Sequence, residues 1–407
     1  MWNAELYEGD RLKLTYFFNS NDDLQSGVNK KVIAQISNLI KLGVKANGVM
    51  VIYGDVRRLL PKFITVASLK ELPMNDFFGR LKRARTFSKI LAETIDSLGP
   101  RDILYFRSSS PIILFYPFNY LKRFRKCILV TEHQTIESVE LKLNRNNLAV
   151  FFDRIFGKSI RKQSDVIIGV TDEITQYEIT RTGNLEKPHL TIGNGFDAKS
   201  VPLKKTRSFD NNELHLLCVA KVGRWHGLDR ILKGLAIYSG TPRVILHIAG
   251  NGSELSYLKK LANDLSITNQ VVFHGFLTGN ALNDLFDQCH IAVGSLGIHR
   301  IGLKEASTLK AREYCARGIP FIYGIPDLDF PEEFPFILHF PADDSPIDVE
   351  KVLAFAITIS RDSDHPQKMR CYAEEHLDWS VKMKKLKDFL DTLVNENSGE
   401  TILKVSI

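Results

Sequence analysis

Residues 305–320 read Glu305-Ala-Ser-Thr-Leu-Lys-Ala-Arg-Glu313-Tyr-Cys-Ala-Arg-Gly318-Ile-Pro320, between the apolar runs Ile291–Val293 and Phe321–Tyr323. The flanking runs predict strands and the segment between them a crossover helix. Ser307 or Thr308 is placed to cap the helix start, and Gly318 with Pro320 to stop it. Glu305 then lies in the strand-to-helix loop and Glu313 over a turn later, on the helix. A helix start leaves backbone N–H groups unsatisfied, so Ser307, Thr308 and Leu309 predict a corner that favours phosphate. Two carboxylates with a phosphate corner between them suit a nucleotide-sugar, one for sugar hydroxyls and the other for a ribose. Glutamates eight apart also occur on ordinary surface helices.

The same alternation of short apolar runs and helical patterns extends in both directions. In the first half the expected strands are 12–18, 49–53, 103–106, 127–131 and 166–170. Val28, Val32, Ile36, Leu39 and Ile40 form a helical stripe after the first of them, closed by Gly43. A turn-rich piece, Ile192 to Asp197, and the polar stretch 204–212 read as a linker. Strands are expected again at 214–219, 244–248, 271–274, 291–293 and 321–323. The predicted fold is α/β: two doubly wound Rossmann-like parallel-sheet domains facing a cleft. Domains are expected at 1–196 and 197–380, with 381–407 a C-terminal helix and tail returning to the first domain. Ligands of such sheets bind beyond the carboxyl ends of the strands.

The chain has 407 residues, 44% hydrophobic and 25% charged, the composition of ordinary globular domains. Its start is acidic and lacks the pattern of a signal peptide, and its longest apolar stretch, 111–121, is too short to span a membrane. Five scattered cysteines with no close pair predict free thiols in a reducing cytoplasm. The net charge of +7 is uneven: residues 1–200 carry 30 Lys and Arg against 21 Asp and Glu, leaving 24 against 26 in 201–407. The excess lies in Arg80–Arg85, Lys122–Lys126 and Arg154–Lys162, interleaved with Phe124, Phe151, Phe152 and Phe156. No nucleic-acid-binding module accompanies these clusters, so no nucleic-acid partner is expected. They predict either solvated helix faces or attraction to an anionic membrane surface, making the protein cytoplasmic and peripheral on the inner face.

The Glu305–Pro320 layout resembles the retaining glycosyltransferases of family 4 (glycosyl transferases group 1), which have the GT-B fold. Ser26-Gly27-Val28 is similar to the family's glycine turn beside the donor diphosphate. Thr131-Glu132-His133 resembles the strand end that carries a histidine close to the transferred sugar. Asn194-Gly195-Phe196-Asp197 resembles the domain junction, Ala249-Gly250-Asn251-Gly252 the glycine-rich loop, and Phe273-His274-Gly275-Phe276 the turn near the base. The resemblance implies transfer with retained configuration by a hexosyltransferase-type enzyme. The donor is a nucleotide-sugar, and the acceptor a glycan or a lipid-linked species of polysaccharide biosynthesis. It implies that Glu305 orients the sugar, that His133, Arg224 and Lys310 are catalytic, and that Glu313 binds the ribose. Gly27, Gly250, Gly252, Phe276, Ser307, Thr308 and Leu309 complete the donor site.

Two departures stand out. Lys221-Val-Gly223-Arg224-Trp225-His226-Gly227 is shorter than the family's turn, so Arg224 matches while His226 takes the place of a diphosphate-binding lysine. Lys310 or Lys221 is then expected to supply the charge. Ala306 and Ser307 also stand where the family commonly has glycine. Arg300 is a further cationic candidate, and His299 reads as structural. Asp327-Leu-Asp329 has the form of a metal-binding triplet, but cationic side chains make a metal unnecessary, so neither metal nor cofactor is expected. A sugar-nucleotide epimerase of the same fold and a non-catalytic glycan-binding or partner subunit are the alternatives.

Overall fold

The computed structural model describes residues 12–20, 27–52, 60–69, 77–107, 126–143, 147–205 and 213–400. The chain divides into two compact units: unit 1 runs to Gly193 and resumes at Trp379, and unit 2 is Asn194–Asp378. The expected boundaries at 196/197 and 380/381 therefore fall at 193/194 and 378/379.

Among the described residues, unit 1 holds a seven-stranded parallel sheet ordered β3-β2-β1-β4-β5-β6-β7. Its strands are β1 (Lys13–Ser20), β2 (Lys45–Ile52), β3 (Ile64–Ser68), β4 (Ile103–Arg107), β5 (Ile128–His133), β6 (Val166–Gly169) and β7 (His189–Thr191). Its helices are α1 (Gly27–Lys41), α2 (Phe77–Asp96), α3 (Glu137–Leu143), α4 (Asn147–Gln163), α5 (Asp172–Thr182) and, from the chain's end, the helix Trp379–Glu400. The strands are apolar on both faces because helices cover both. Phe17, Leu104, Phe106 and Leu129 pack with Phe87, Leu91 and Ile95 of α2. Tyr16 and Glu132, on the other face, meet Gln35 of α1. The returning C-terminal helix packs on α1, with the Lys31 ammonium 5.9 Å from the Trp379 ring centre.

Unit 2 holds a six-stranded parallel sheet ordered β10-β9-β8-β11-β12-β13. Its strands are β8 (Glu213–Val219), β9 (Arg243–Ala249), β10 (Val271–Gly275), β11 (Ile291–Val293), β12 (Phe321–Tyr323) and β13 (Ile337–His339). In chain order the helices are α6 (Leu228–Ile237), α7 (Leu255–Asp264), α8 (Gly279–Gln288), α9 (Leu309–Arg317), α10 (Val349–Ser360) and α11 (His365–Tyr372). The helix Trp379–Glu400 of unit 1 is then α12. Leu214, Leu216 and Cys218 of β8 and Val244, Leu246 and Ile248 of β9 share one core with α6, α7 and α10. The alternate residues His215 and His247 point to the opposite face, as the two-residue period requires.

Candidate donor site at the strand ends of unit 2

The loop after β11 and the helix α9 form where the sequence places them. Thr308 is the N-cap of α9, but its hydroxyl bonds Oη of Tyr323 at 3.0 Å and makes no capping bond. Among the described residues no side chain caps the first turn of α9, the arrangement that favours an anion. Ser307 does not cap either. Its Oγ accepts the Asn194 N–H at 2.7 Å, and its carbonyl accepts from the Asn194 side-chain amide. Arg312, fully buried, donates through Nε to the Asn194 carbonyl at 2.9 Å. Asn194 of the junction motif is therefore tied to both ends of the Ser307–Arg312 segment.

Asp327 and Asp329 clasp the Arg312 guanidinium, Asp327 through both oxygens. Burial works against the Arg312 charge, but the two carboxylates outweigh it and hold its pKa above the ordinary value. Glu313 is half-buried and receives Nε of Arg317 at 2.9 Å, while Glu305 lies half-buried in the loop before Ser307.

The shortened turn Arg224–His226 meets this helix at Lys310. Gly227 sits at φ +62°, and a Cβ there would lie 2.8 Å from the backbone of Gly297 and Leu296, so only glycine lets the two loops close. Leu296 N–H donates to the His226 carbonyl and Gly297 N–H to that of Trp225, each at 3.1 Å. The His226 ring is buried, with Nδ1 accepting the Gly223 N–H at 2.9 Å. Burial, reinforced by the Lys310 charge, pushes its pKa down to about 2, so it is a neutral imidazole that shapes the turn.

Lys310 is the cation beside it. Its Nζ is buried with no hydrogen-bond partner among the described residues, and burial lowers its pKa to about 8. Arg224 is exposed, and Arg300 Nη1 holds its carbonyl at 3.2 Å. Lys221 is exposed as well. The Arg300 side chain is occupied by Asp229, at 2.7 and 3.0 Å, and by Asp344, which also receives His299.

Two glycine-bearing loops complete the strand ends. A Cβ on Gly250, at φ +131°, would lie 1.9 Å from the Ala220 carbonyl oxygen, so the loop after β9 presses directly on the loop after β8. Val222 N–H donates to the Asn251 carbonyl at 2.7 Å, and Gly252 packs against Val222 in the same seam. Gly250 N–H donates to Gly275 at 2.6 Å, and Phe276 just beyond is 63% exposed.

In unit 1, Gly27 opens α1, and Ser26 before it lies outside the described residues. His133, expected close to the transferred sugar, ends β5 with its ring buried. Its ring is 2% exposed, with Nε2 3.1 Å from Thr131 Oγ1 and Nδ1 facing Glu178 and Glu137 at 3.6 and 3.9 Å. It points inward because Arg161 gathers Glu137, Glu178 and Asp153 beneath β5, and the ring joins that charged cluster.

Sequence reasoning missed Glu132, whose buried carboxylate accepts from Tyr16 at 2.6 Å and Gln35 at 3.0 Å, with Lys31 3.3 Å away. Burial would raise its pKa, but Lys31, Tyr16, Gln35 and Arg107 hold it below the ordinary value. Nε of Arg107 and Nε2 of Gln134, at the ends of β4 and β5, are buried donors with no partner among the described residues. Their only sequence signal was position at strand ends.

The basic clusters separate into two stripes. On α2, Phe78, Lys82, Arg85 and Lys89 are exposed; on α4, Phe151, Arg154, Ile155, Lys158 and Lys162 are. The two helices cover the same face of the sheet: α2 packs on Leu129, while Arg161 of α4 joins the cluster under His133 on that face. Lys122, Arg123, Phe124 and Arg125 lie outside the described residues, as do the side chains of Arg80, Phe152 and Phe156; Lys126 bonds Asp96 at 2.8 Å. No helix among the described residues is long and apolar enough to cross a membrane.

Comparison with known proteins bears on the fold and the family. Residues 202–324 match the sequence profile of the family "Glycosyl transferases group 1". An uncharacterized glycosyltransferase of Methanocaldococcus jannaschii is 26% identical over 181 residues, a match spanning 42% of this chain and 44% of that protein's length. The fold is similar to that of sucrose-phosphate synthase from Thermosynechococcus elongatus (TM-score 0.70, 13% identity, 95% of this chain and 100% of that one). It is also similar to Anabaena HepE in complex with UDP and glucose (TM-score 0.63, 14% identity, 94% and 100%). WaaG, a glycosyltransferase involved in lipopolysaccharide biosynthesis, aligns at TM-score 0.59 and 14% identity over 93% of this chain and 99% of its own. The fold is thus the two-domain α/β arrangement of GT-B glycosyltransferases. The profile match and the shared fold together support the group 1 family.

Proposed function

We propose that this protein is a retaining, metal-independent glycosyltransferase of family 4. It moves a hexose from a nucleotide-diphosphate sugar to a glycan or lipid-linked acceptor in polysaccharide assembly. The observation that carries the reading is the Lys310 ammonium, in the open first turn of α9 and buried with no hydrogen-bond partner among the described residues. A buried cation costs free energy unless an anion meets it, and a diphosphate is the anion this corner suits.

The leaving diphosphate gathers negative charge as the sugar departs. Lys310, Arg224 and the N–H groups at Thr308 and Leu309 meet that charge where it develops, in a site already organised to hold it. Glu305 orients the sugar hydroxyls and Glu313, steadied by Arg317, the ribose. Gly250 and Gly252 keep the loops close enough for the nucleotide to lie along them, and Phe276 offers a face to the base. With His133 turned inward, Arg107 Nε and Gln134 Nε2, buried without hydrogen-bond partners among the described residues, are the donors we assign to oxygen atoms of the acceptor. The basic stripes on α2 and α4, each led by exposed aromatic or aliphatic side chains, hold the protein at the anionic cytoplasmic face of a membrane.

Glu305→Ala and Glu313→Ala test the donor site. Each loses one charge-assisted hydrogen bond, worth roughly ten- to a hundredfold in transfer rate, while the fold persists. Parent-level turnover of a nucleotide-sugar panel by both variants would refute the assignment.

A further inference from the structure

Outside the donor site, unit 2 carries a line of histidines across three neighbouring strands. His274 of β10 bonds His247 of β9 (Nε2 to Nδ1, 2.9 Å), and His247 bonds His215 of β8 (Nε2 to Nδ1, 2.9 Å). Adjacent rings stack with centroids 5.2 Å apart at each step. β10 is the edge strand, so the line runs from a half-buried His274 inward to a buried His247. It lies on the face opposite the core shared with α6, α7 and α10.

We propose that His274, His247 and His215 form a row that takes up a single proton as a unit and makes the turn at Gly275 responsive to pH. The proton count follows from the contacts. A neutral row has one proton per ring, so one lies in each of the two N···N contacts and the third on an outer nitrogen, either His274 Nδ1 or His215 Nε2. Glu213, 3.4 Å from His215 Nε2, draws that proton to His215 and leaves His274 Nδ1 bare. A further proton binds at His274 Nδ1 with both N···N bonds intact, and the row becomes a shared monocation. Another proton after that has to break one of those bonds and place two cations in contact.

The charged and titratable neighbours agree with one added charge. Glu213 is shared with Arg243 of β9 at 3.7 Å, so it does not neutralise a second imidazolium. His290, its ring centre 5.7 Å from that of His215, accepts the His215 backbone N–H through Nδ1 and takes no ring proton from the line. On α8, Asp284 is exposed and Asp287 is bonded by the backbone N–H of Lys205. Lys259 of α7 lies over Phe273 on the opposite face. His274 directly precedes Gly275, whose carbonyl holds Gly250 in the glycine loop. This coupling rests on the donor-site reading above; the proton count does not.

The test is a histidine Cε1 NMR titration of the full chain, with UDP affinity measured in parallel. The three rings should move with one shared midpoint between about pH 5 and 8 and take up one proton together. In His247→Phe, His215 and His274 should titrate separately; His274→Gln, at the half-buried end, serves if that variant does not fold. Three independent midpoints in the parent, each with a full proton, overturn the row. UDP should bind the parent about threefold more tightly at pH 6 than at pH 8 beyond the change seen in His274→Gln, the size expected of one charge acting at a distance. Equal pH dependence in parent and variant overturns the coupling. Failure of UDP, GDP and ADP alike to bind at any pH refutes the donor reading, and the titration still decides the row.

Discussion

Arg312 donates through Nη2 to Oδ1 of Asp327 at 2.7 Å, and both side chains are buried. The Asp327–Asp329 pair, which has the look of a metal-binding triplet in sequence, is committed to this guanidinium. Removing one partner of a buried ion pair leaves the other charge uncompensated, at a cost of about 3–5 kcal/mol. Asp327→Ala should therefore lower the urea midpoint sharply, toward the smaller figure because Asp329 remains. Chelator should change neither that midpoint nor transfer. Activity lost in chelator and restored by magnesium would return the two aspartates to a metal.

Lys310 gives the proposed donor site a proton signature. With a pKa near 8, about half the molecules lack the ammonium proton at pH 8. A bound diphosphate raises that pKa, so binding should take up about half a proton there. Calorimetry in two buffers of different ionisation enthalpy measures the uptake directly. Lys310→Met should abolish it and weaken UDP binding roughly ten- to a hundredfold. Unchanged uptake in that variant would place the titrating group elsewhere.

His226 should make the fold acid-sensitive. Its folded pKa is about 2 against an ordinary 6.5, so between those values the unfolded chain binds a proton that the folded chain excludes. Stability then rises with pH through this window and is lost as pH falls below about 6.5, approaching 1.4 kcal/mol per unit. From pH 7 to 5.5 the loss should be about 1 kcal/mol. His226→Gln keeps an acceptor for Gly223 but cannot titrate, so its unfolding free energy should fall less steeply over the same range. Parallel pH profiles for parent and variant would show that the ring is charged in the folded state.

The stripes on α2 and α4 make the membrane reading testable at named positions. Each basic residue near an anionic surface contributes on the order of 1 kcal/mol, screened beyond roughly 8 Å at physiological salt. The parent should co-sediment with anionic vesicles at low salt, less at high salt, and not with neutral ones. Replacing Lys82, Arg85, Lys89, Arg154, Lys158 and Lys162 by serine should release it. Equal binding by parent and variant would leave the stripes as solvated faces.

Much of the scaffold was legible because it is local. Apolar runs such as Leu214–Val219 and the stripe Val32-Ile36-Leu39 announce their periods within one element, and Gly318 stops α9 where the pattern ends. The edge strands β3, β7 and β13 were not, because His189–Thr191 and Ile337–His339 are short and only partly buried, without the continuous buried apolar run that marks the equally short β11 and β12. At Ile64–Ser68 only one residue is buried, so the hydrophobic signal is weak.

Sequence by itself determined the two parallel-sheet halves, the strand-to-helix loop at Glu305 and the shortening of the turn at Arg224. Backbone periodicity and turn chemistry act over a few residues and can be read there. Only the tertiary structure decided what each polar side chain faces. Asn194 and Ser307 are 113 residues apart, and Arg312 and Asn194 are 118 apart. Lys310 meets His226 across two loops, and His133 turns toward glutamates on two helices. Burial fixes these partners because a charge removed from water must find its counterpart in the fold, wherever along the chain that counterpart lies.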